Sequence, residues 1–245
     1  MGLSKRTLCW FSCGAASAVA AKFEPTGELV YCDTGSEHTD NVRFLADVEL
    51  WLNREVTVLK SEKYVDTWDV WQRERWLAGI EGAHCTGVLK VEQRLVYQKP
   101  DDIHVFGYTA DGPDIARAKR LRANYPELVI KTPLIDRGIN KAACLALIER
   151  AGIKLPAMYL LGFWNNNCIP CPKATSPNYW ALVRKCFPDR FFRMAKLSRD
   201  LNVKLTRLHG ERVFIDEIPE DWPTTEPIAP ACDFLCHIAE SEAAE

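Results

Sequence analysis

The 245-residue sequence predicts an α/β fold: a doubly wound, mainly parallel five-stranded sheet with a helical, cysteine-containing C-terminal extension. Two observations lead there. Short apolar runs alternate with longer amphipathic ones through the first 150 residues, as strand–helix–strand crossovers require. Most of the longer runs open on Ser, Thr, Asp or Asn, whose side chains satisfy the free N–H groups of a first helical turn.

Taken in order, the apolar runs Thr7–Phe11, Leu29–Cys32, Val56–Leu59, Ile103–Tyr108 and Leu128–Lys131 are the candidate strands. The candidate helices are Ser17–Phe23, Thr39–Leu52, Val65–Trp76, Thr86–Tyr97, Asp114–Asn124 and Asn140–Ala151. In such a sheet a ligand binds beyond the carboxyl ends of the strands, beside strand 1. The expected division is a nucleotide-binding α/β core over 1–160 and a helical region over 161–245, which holds a Cys-x2-Cys loop and an acidic, proline-rich tail.

Composition sets outer limits. With 47% hydrophobic and 26% charged residues and a net charge of −2, the chain reads as soluble and globular, which excludes disorder over most of its length. Every apolar run is interrupted well before the ~18 residues of a membrane span. No export signal follows Met1, so the expected location is cytoplasmic and the ten cysteines are expected to be reduced thiols. Cys9, Cys144 and Cys186 read as plain buried residues. Trp68, Trp71 and Trp76 share one helical pattern and read as packing. Charge is uneven: Arg184–Arg212 has nine Lys/Arg against three Asp/Glu, whereas Asp216–Glu245 has nine acids and no base. The basic stretch is either a solvated helical face or a surface for an anion or nucleic acid, and the acidic tail can fold back over it.

Two loops stand at the expected ligand edge. Strand 1 runs into Ser12-Cys13-Gly14-Ala15-Ala16-Ser17, a turn of small residues whose backbone N–H groups and hydroxyls can approach a phosphate. Strand 2 ends in Asp33-Thr34-Gly35-Ser36-Glu37-His38. Farther on, Cys168-x2-Cys171 places two thiols on one turn, suited to zinc, an iron–sulfur cluster or dithiol redox chemistry. Further thiols can come from Cys85, Cys232 or Cys236.

These motifs, with His84–Lys90, Val105–Tyr108 and Asn165–Lys173, occur in an order that resembles the phosphoadenosine phosphosulfate (PAPS) reductase family of the PP-loop, adenine nucleotide alpha-hydrolase-like superfamily. The resemblance covers nearly the whole chain and is closest to small members found in phages and mobile elements. It implies that Ser12, Gly14 and Ser17 cradle the phosphates of ATP, PAPS or adenylylsulfate, and that Asp33 and Thr34 lie beside the adenosine or a bound Mg²⁺. Cys13 and Gly107 would stand beside the same nucleotide. Ala15 and Ala16 depart from the common PP-loop pattern, which has an acid, and often a lysine, before the final serine. The loop after strand 4 lacks the family's paired arginines, which Arg117 or Arg120 would replace.

The resemblance also implies a 4Fe–4S cluster, or alternatively zinc, on Cys85, Cys168, Cys171 and Cys232; Cys85 stands 83 positions before Cys168. Lys90 would bind the anionic substrate, and Cys236 beside His237 would be the nucleophile of a reductase. The expected function is ATP-dependent activation and sulfur transfer assisted by the cluster. The alternatives are thiol-dependent reduction of PAPS or adenylylsulfate, and a non-catalytic nucleotide-binding module of a modification system. A thiol or other sulfur donor and a tRNA or DNA acceptor are the implied partners.

Overall fold

The computed structural model describes residues 5–79 and 82–231. A five-stranded, all-parallel sheet runs in the order β3-β2-β1-β4-β5, built from β1 (Thr7–Phe11), β2 (Glu28–Asp33), β3 (Val56–Lys60), β4 (Ile103–Phe106) and β5 (Val129–Lys131). Helices flank both faces, so the chain adopts the expected doubly wound α/β class. The order of connection reverses at β1, which pairs with β2 on one side and β4 on the other. Such a switch point opens a crevice at the carboxyl ends of the two diverging strands.

Alternation along β1 divides the core. Cys9 and Phe11 face a cluster with Leu29 and Tyr31 of β2, Val105 of β4 and three helices. The first of these, α1 (Ala15–Lys22), buries every residue from Ala15 to Ala21. Its small side chains let its backbone lie close to the sheet. It starts two residues earlier than the sequence suggests. In α2 (Asn41–Leu52) Phe44 and Val48 point inward, and Asn53 ends the helix in the left-handed conformation that asparagine tolerates (φ 50°). The third helix, α8 (Lys141–Arg150), packs against α1.

A second core lies under α3 (Thr67–Glu74), the one-turn α4 (His84–Thr86) and a π-helical segment Gly87–Val91, which continues into α5 (Glu92–Tyr97). The sequence suggested one regular helix from Thr86 to Tyr97; the wider π turn interrupts it at Lys90. After α6 (Gly112–Asn124), α7 (Pro133–Asp136) and α9 (Ala157–Leu160), the C-terminal region adds α10 (Pro177–Cys186) and α11 (Pro188–Asp200), divided at Phe187-Pro188 as expected. Trp180, Phe191, Met194 and Ile218 join Trp71, Leu77 and Leu89 in the second core. The hairpin β6 (Thr206–Leu208) and β7 (Glu211–Val213) was not foreseen, since three-residue strands leave no readable periodicity. β4 stops at Phe106, two residues short of the expected end.

Beyond a 3-10 turn at Ile215–Glu217 the described part of the acidic segment, to residue 231, is irregular and wraps back. Thr225 Oγ1 donates to the Gly162 carbonyl at 2.8 Å, and Ala231 N–H reaches the Ala142 carbonyl at 3.3 Å. Among the described residues no helix is long and apolar enough to cross a membrane.

Candidate functional site

The turn after β1 is a closed structure. Ser17 Oγ accepts from Ser12 N–H at 3.0 Å and donates to the Gly14 carbonyl at 2.9 Å, so its hydroxyl fastens the turn and is not left for a ligand. Ser12 is exposed, and its Oγ lies 3.2 Å from Ser17 Oγ. Ala15 N–H donates to the Tyr159 hydroxyl at 3.2 Å. Gly107, at the end of β4, lies against the same turn: a Cβ there would meet Ser17 Cα at 2.5 Å and Ser17 N at 2.6 Å. Only glycine permits that approach. Cys13 holds a left-handed backbone (φ 52°), a conformation costing a non-glycine residue roughly 1–2 kcal/mol. The buried Asn166 amide donates both to the Cys13 carbonyl and to Asn41 Oδ1.

At the end of β2, Asp33 accepts from Gly35 N–H and pairs with Lys60 at 2.8 Å. Thr34 is 2% exposed, and its Oγ1 lies 3.0 Å from Cys168 Sγ. Asp33 and Thr34 therefore brace the loop in this arrangement, where the sequence suggested contacts to adenosine or Mg²⁺. Glu37, with a side chain only 7% exposed, accepts from Thr34 N–H, lies 3.7 Å from Cys168 Sγ and pairs with Lys90 at 3.8 Å. Lys90 is densely surrounded by protein, yet its side chain keeps 39% of its exposure. Burial opposes its charge, but the Cys168 and Glu37 side chains prevail and hold its pKa above the ordinary lysine value.

The cysteine loop is fixed from both ends of this edge. Ile169 N–H donates to the Ser36 carbonyl at 2.9 Å, and Arg190 of α11 donates to the carbonyls of Ser36 (3.4 Å) and Ile169 (3.1 Å). Cys171 N–H donates to the Tyr179 hydroxyl at 2.7 Å. Burial, and then the Glu37 carboxylate, pushes the Cys168 thiol up to about 12; burial pushes Cys13 to about 12 and Cys32 to about 11. The Cys85 thiol is raised as well, by burial first. Near neutral pH these four are thiols, and only a thiolate is strongly nucleophilic or metal-binding.

Cys85, Cys168, Cys171 and Lys90 influence one another electrostatically, so the fold gathers the residues that the sequence grouped. They do not form a metal centre as they stand: among the described residues no group of three or more His, Cys, Asp or Glu is disposed to hold an ion. Cys168 is committed to Thr34 and Glu37, and the expected fourth ligand, Cys232, lies outside the described residues, as does Cys236. In the described arrangement Cys85, Cys168 and Cys171 are therefore not assembled as a metal site, and the expected fourth ligand is not among the described residues.

The basic helices present a partly solvated face whose cations also find partners. Arg184 donates to the carbonyls of Ile218, Pro219 and Glu220; Arg193 lies over the Trp68 ring at 4.1 Å; Arg199 pairs with Asp216 and Glu217. Arg190 reaches the cysteine loop, and Arg193 and Arg199 are exposed, as the solvated-face reading expects, while their guanidinium groups also meet partners within the fold. Arg117 pairs with Asp114 at 2.9 Å and is half exposed. A groove of about 390 Å³ lined by Arg184, Lys185, Glu220 and Trp222 includes none of the loop residues above.

Compared with models of known protein families the chain matches none, and no curated protein matches it. Glu37, Tyr159 and Asn166 were not singled out from the sequence. Glu37 and Asn166 stood inside quoted motifs, but nothing local distinguishes a buried acid or amide from an exposed one.

Proposed function

We propose that this chain binds an adenine nucleotide at the carboxyl edge of its sheet, with phosphates at the Ser12–Ser17 turn, and uses it in sulfur chemistry beside the Cys168 loop. The observation that carries this reading is that one short segment touches both ends. Asn166 bonds the Cys13 carbonyl of the turn, and two residues later Cys168 meets Thr34 at the end of β2. A nucleotide at the switch point would thus lie next to buried thiols and the accessible cation Lys90. In the reaction suggested by the resemblance to PAPS reductase-like PP-loop proteins, an acceptor oxygen attacks the α-phosphorus of ATP and pyrophosphate leaves. A sulfur nucleophile then displaces AMP. Backbone N–H groups near the turn would stabilise the developing phosphate charge, and Lys90 would hold the anionic partner.

One observation favours the non-catalytic alternative. Ser17 Oγ and Ala15 N–H are engaged inside the protein, so the turn offers fewer free donors than a phosphate cradle usually presents. Calorimetric titration with ATP, followed by a pyrophosphate-release assay with candidate acceptors, separates the readings. Binding with pyrophosphate release supports the enzyme; binding without turnover selects the module; no binding by the wild-type protein overturns both. A 4Fe–4S cluster or zinc is a separate proposal, requiring Cys168 to leave Thr34 and a further ligand to arrive. Iron, sulfide and zinc analysis after anaerobic purification decides it.

A further inference from the structure

From Thr7 to Ala21 the chain has no charged residue, so a polyphosphate seated on the Ser12–Ser17 turn must draw its counter-charge from elsewhere in the fold. Three cations at this edge of the sheet are already matched: Lys60 with Asp33, Lys90 with Glu37 and Arg117 with Asp114. Lys141 is not.

Lys141 opens α8 and is only 5% exposed. Its ammonium donates to the neutral Asn165 Oδ1 at 3.3 Å and lies 5.5 Å from the centre of the Tyr159 ring. Among the described residues no carboxylate stands within ion-pair distance of it. The nearest acid by connection, Asp111, accepts from the Lys141 backbone N–H and the Thr109 hydroxyl. A buried ammonium with one neutral acceptor is poorly compensated, and such groups mark places where a countercharge is bound.

Both neighbours of Lys141 lead to the turn. The Tyr159 hydroxyl accepts from Ala15 N–H, and a Cβ on Gly14 would lie 3.0 Å from that oxygen. Asn165 precedes Asn166, whose amide holds the Cys13 carbonyl. Lys141 therefore lies immediately behind the turn, reached through one aromatic ring on one side and one residue of chain on the other.

Resting on the nucleotide reading above, we infer that Lys141 supplies the positive charge for the phosphates at the Ser12–Ser17 turn, and that the ligand there is a polyphosphate and not a nucleoside. Its charge acts on the phosphate groups alone. A Lys141→Met variant should lose about tenfold or more in ATP affinity and keep adenosine affinity within about twofold.

The experiment is calorimetry on the full chain with ATP, AMP, adenosine and inorganic pyrophosphate, comparing wild type, Lys141→Met, Lys141→Arg and Asn165→Asp. Asn165→Asp neutralises the ammonium without removing it, so it covers the case in which Lys141→Met fails to fold; thermal melting identifies that case. The inference expects losses that grow with the number of phosphates in Lys141→Met and Asn165→Asp, and partial retention in Lys141→Arg. Unchanged ATP and pyrophosphate affinity in a folded Lys141→Met overturns it, as does an equal loss for ATP and adenosine. Wild-type protein that binds pyrophosphate but not ATP sinks the adenine reading alone, while the pyrophosphate comparison still decides Lys141. Wild-type protein that binds neither overturns both.

Discussion

The sulfur of Cys168 lies 3.0 Å from the hydroxyl oxygen of Thr34, joining residues 134 positions apart and fastening the cysteine loop to the end of β2. Thr34→Val keeps the shape and removes this contact. The expected loss is about 1 kcal/mol of stability, with faster modification of Cys168 by a thiol reagent under native conditions. Labelling followed by peptide mass analysis checks it; an unchanged Cys168 rate would show that the contact does not restrain the loop.

The Cys168 thiol is pushed up to about 12 by burial and by Glu37. A raised thiol pKa means less thiolate at a given pH, so alkylation of Cys168 should keep climbing past pH 9, where an ordinary thiol levels off. Glu37→Gln removes the opposing charge, lowers the pKa and should raise the alkylation rate at pH 8 by about threefold or more. A profile levelling off near pH 9 in the wild type would contradict this account.

Asp40 carries a different pH signature. Hydrogen bonds from Arg43, and a further one from Ala157 N–H, hold its pKa at about 2. Because the folded value lies below the unfolded one, its stabilisation is present above about pH 4 and is lost as pH falls toward 2. Asp40→Asn should cost about 1–2 kcal/mol at pH 7, and the gap to wild type should close between pH 4 and 2. Urea unfolding at several pH values tests this, and a gap independent of pH would rule it out.

Arg190 reaches two carbonyls on opposite sides of the loop junction, Ser36 and Ile169. Arg190→Met preserves much of the packing and should cost about 1–3 kcal/mol. Hydrogen exchange is expected to rise locally at Ile169 N–H, which donates to the same Ser36 carbonyl. Exchange unaltered there would mean that Arg190 does not hold the junction.

Gly107→Ala places a methyl group within 2.8 Å of the Ser17 and Ala16 backbone, so the turn or β4 must move. The expected destabilisation is about 1–3 kcal/mol, accompanied by weaker ATP binding. Retention of full stability and affinity would show that the two segments separate without penalty.

The sheet was legible in the sequence because its strands read as short apolar runs, such as Leu29–Cys32, each followed by a helix. The cysteine loop was legible because the Cys168-x2-Cys171 spacing is local, whereas Lys90 entered only through the resemblance. What escaped depends on distant partners. Lys141 looks like any solvated first-turn residue until α8 places it beside Asn165 and Tyr159. Ser17 looks like a phosphate ligand until its hydroxyl is seen closing its own turn. The basic run Arg184–Arg212 suggested a surface for an anion because charge is counted before partners are known; the Arg184 partners lie more than thirty residues downstream.

The left-handed Cys13, held by the Asn166 amide, has a thermodynamic consequence. Where one side chain restrains both a strained turn and a separate loop, the two equilibria are linked, and linkage is reciprocal. Whatever free energy an ordered 165–171 segment lends to ligand binding at the turn, ligand binding at the turn must return to that segment. If a nucleotide occupies the turn as proposed, its binding and the modification of the thiols must affect one another by the same factor and in the same direction.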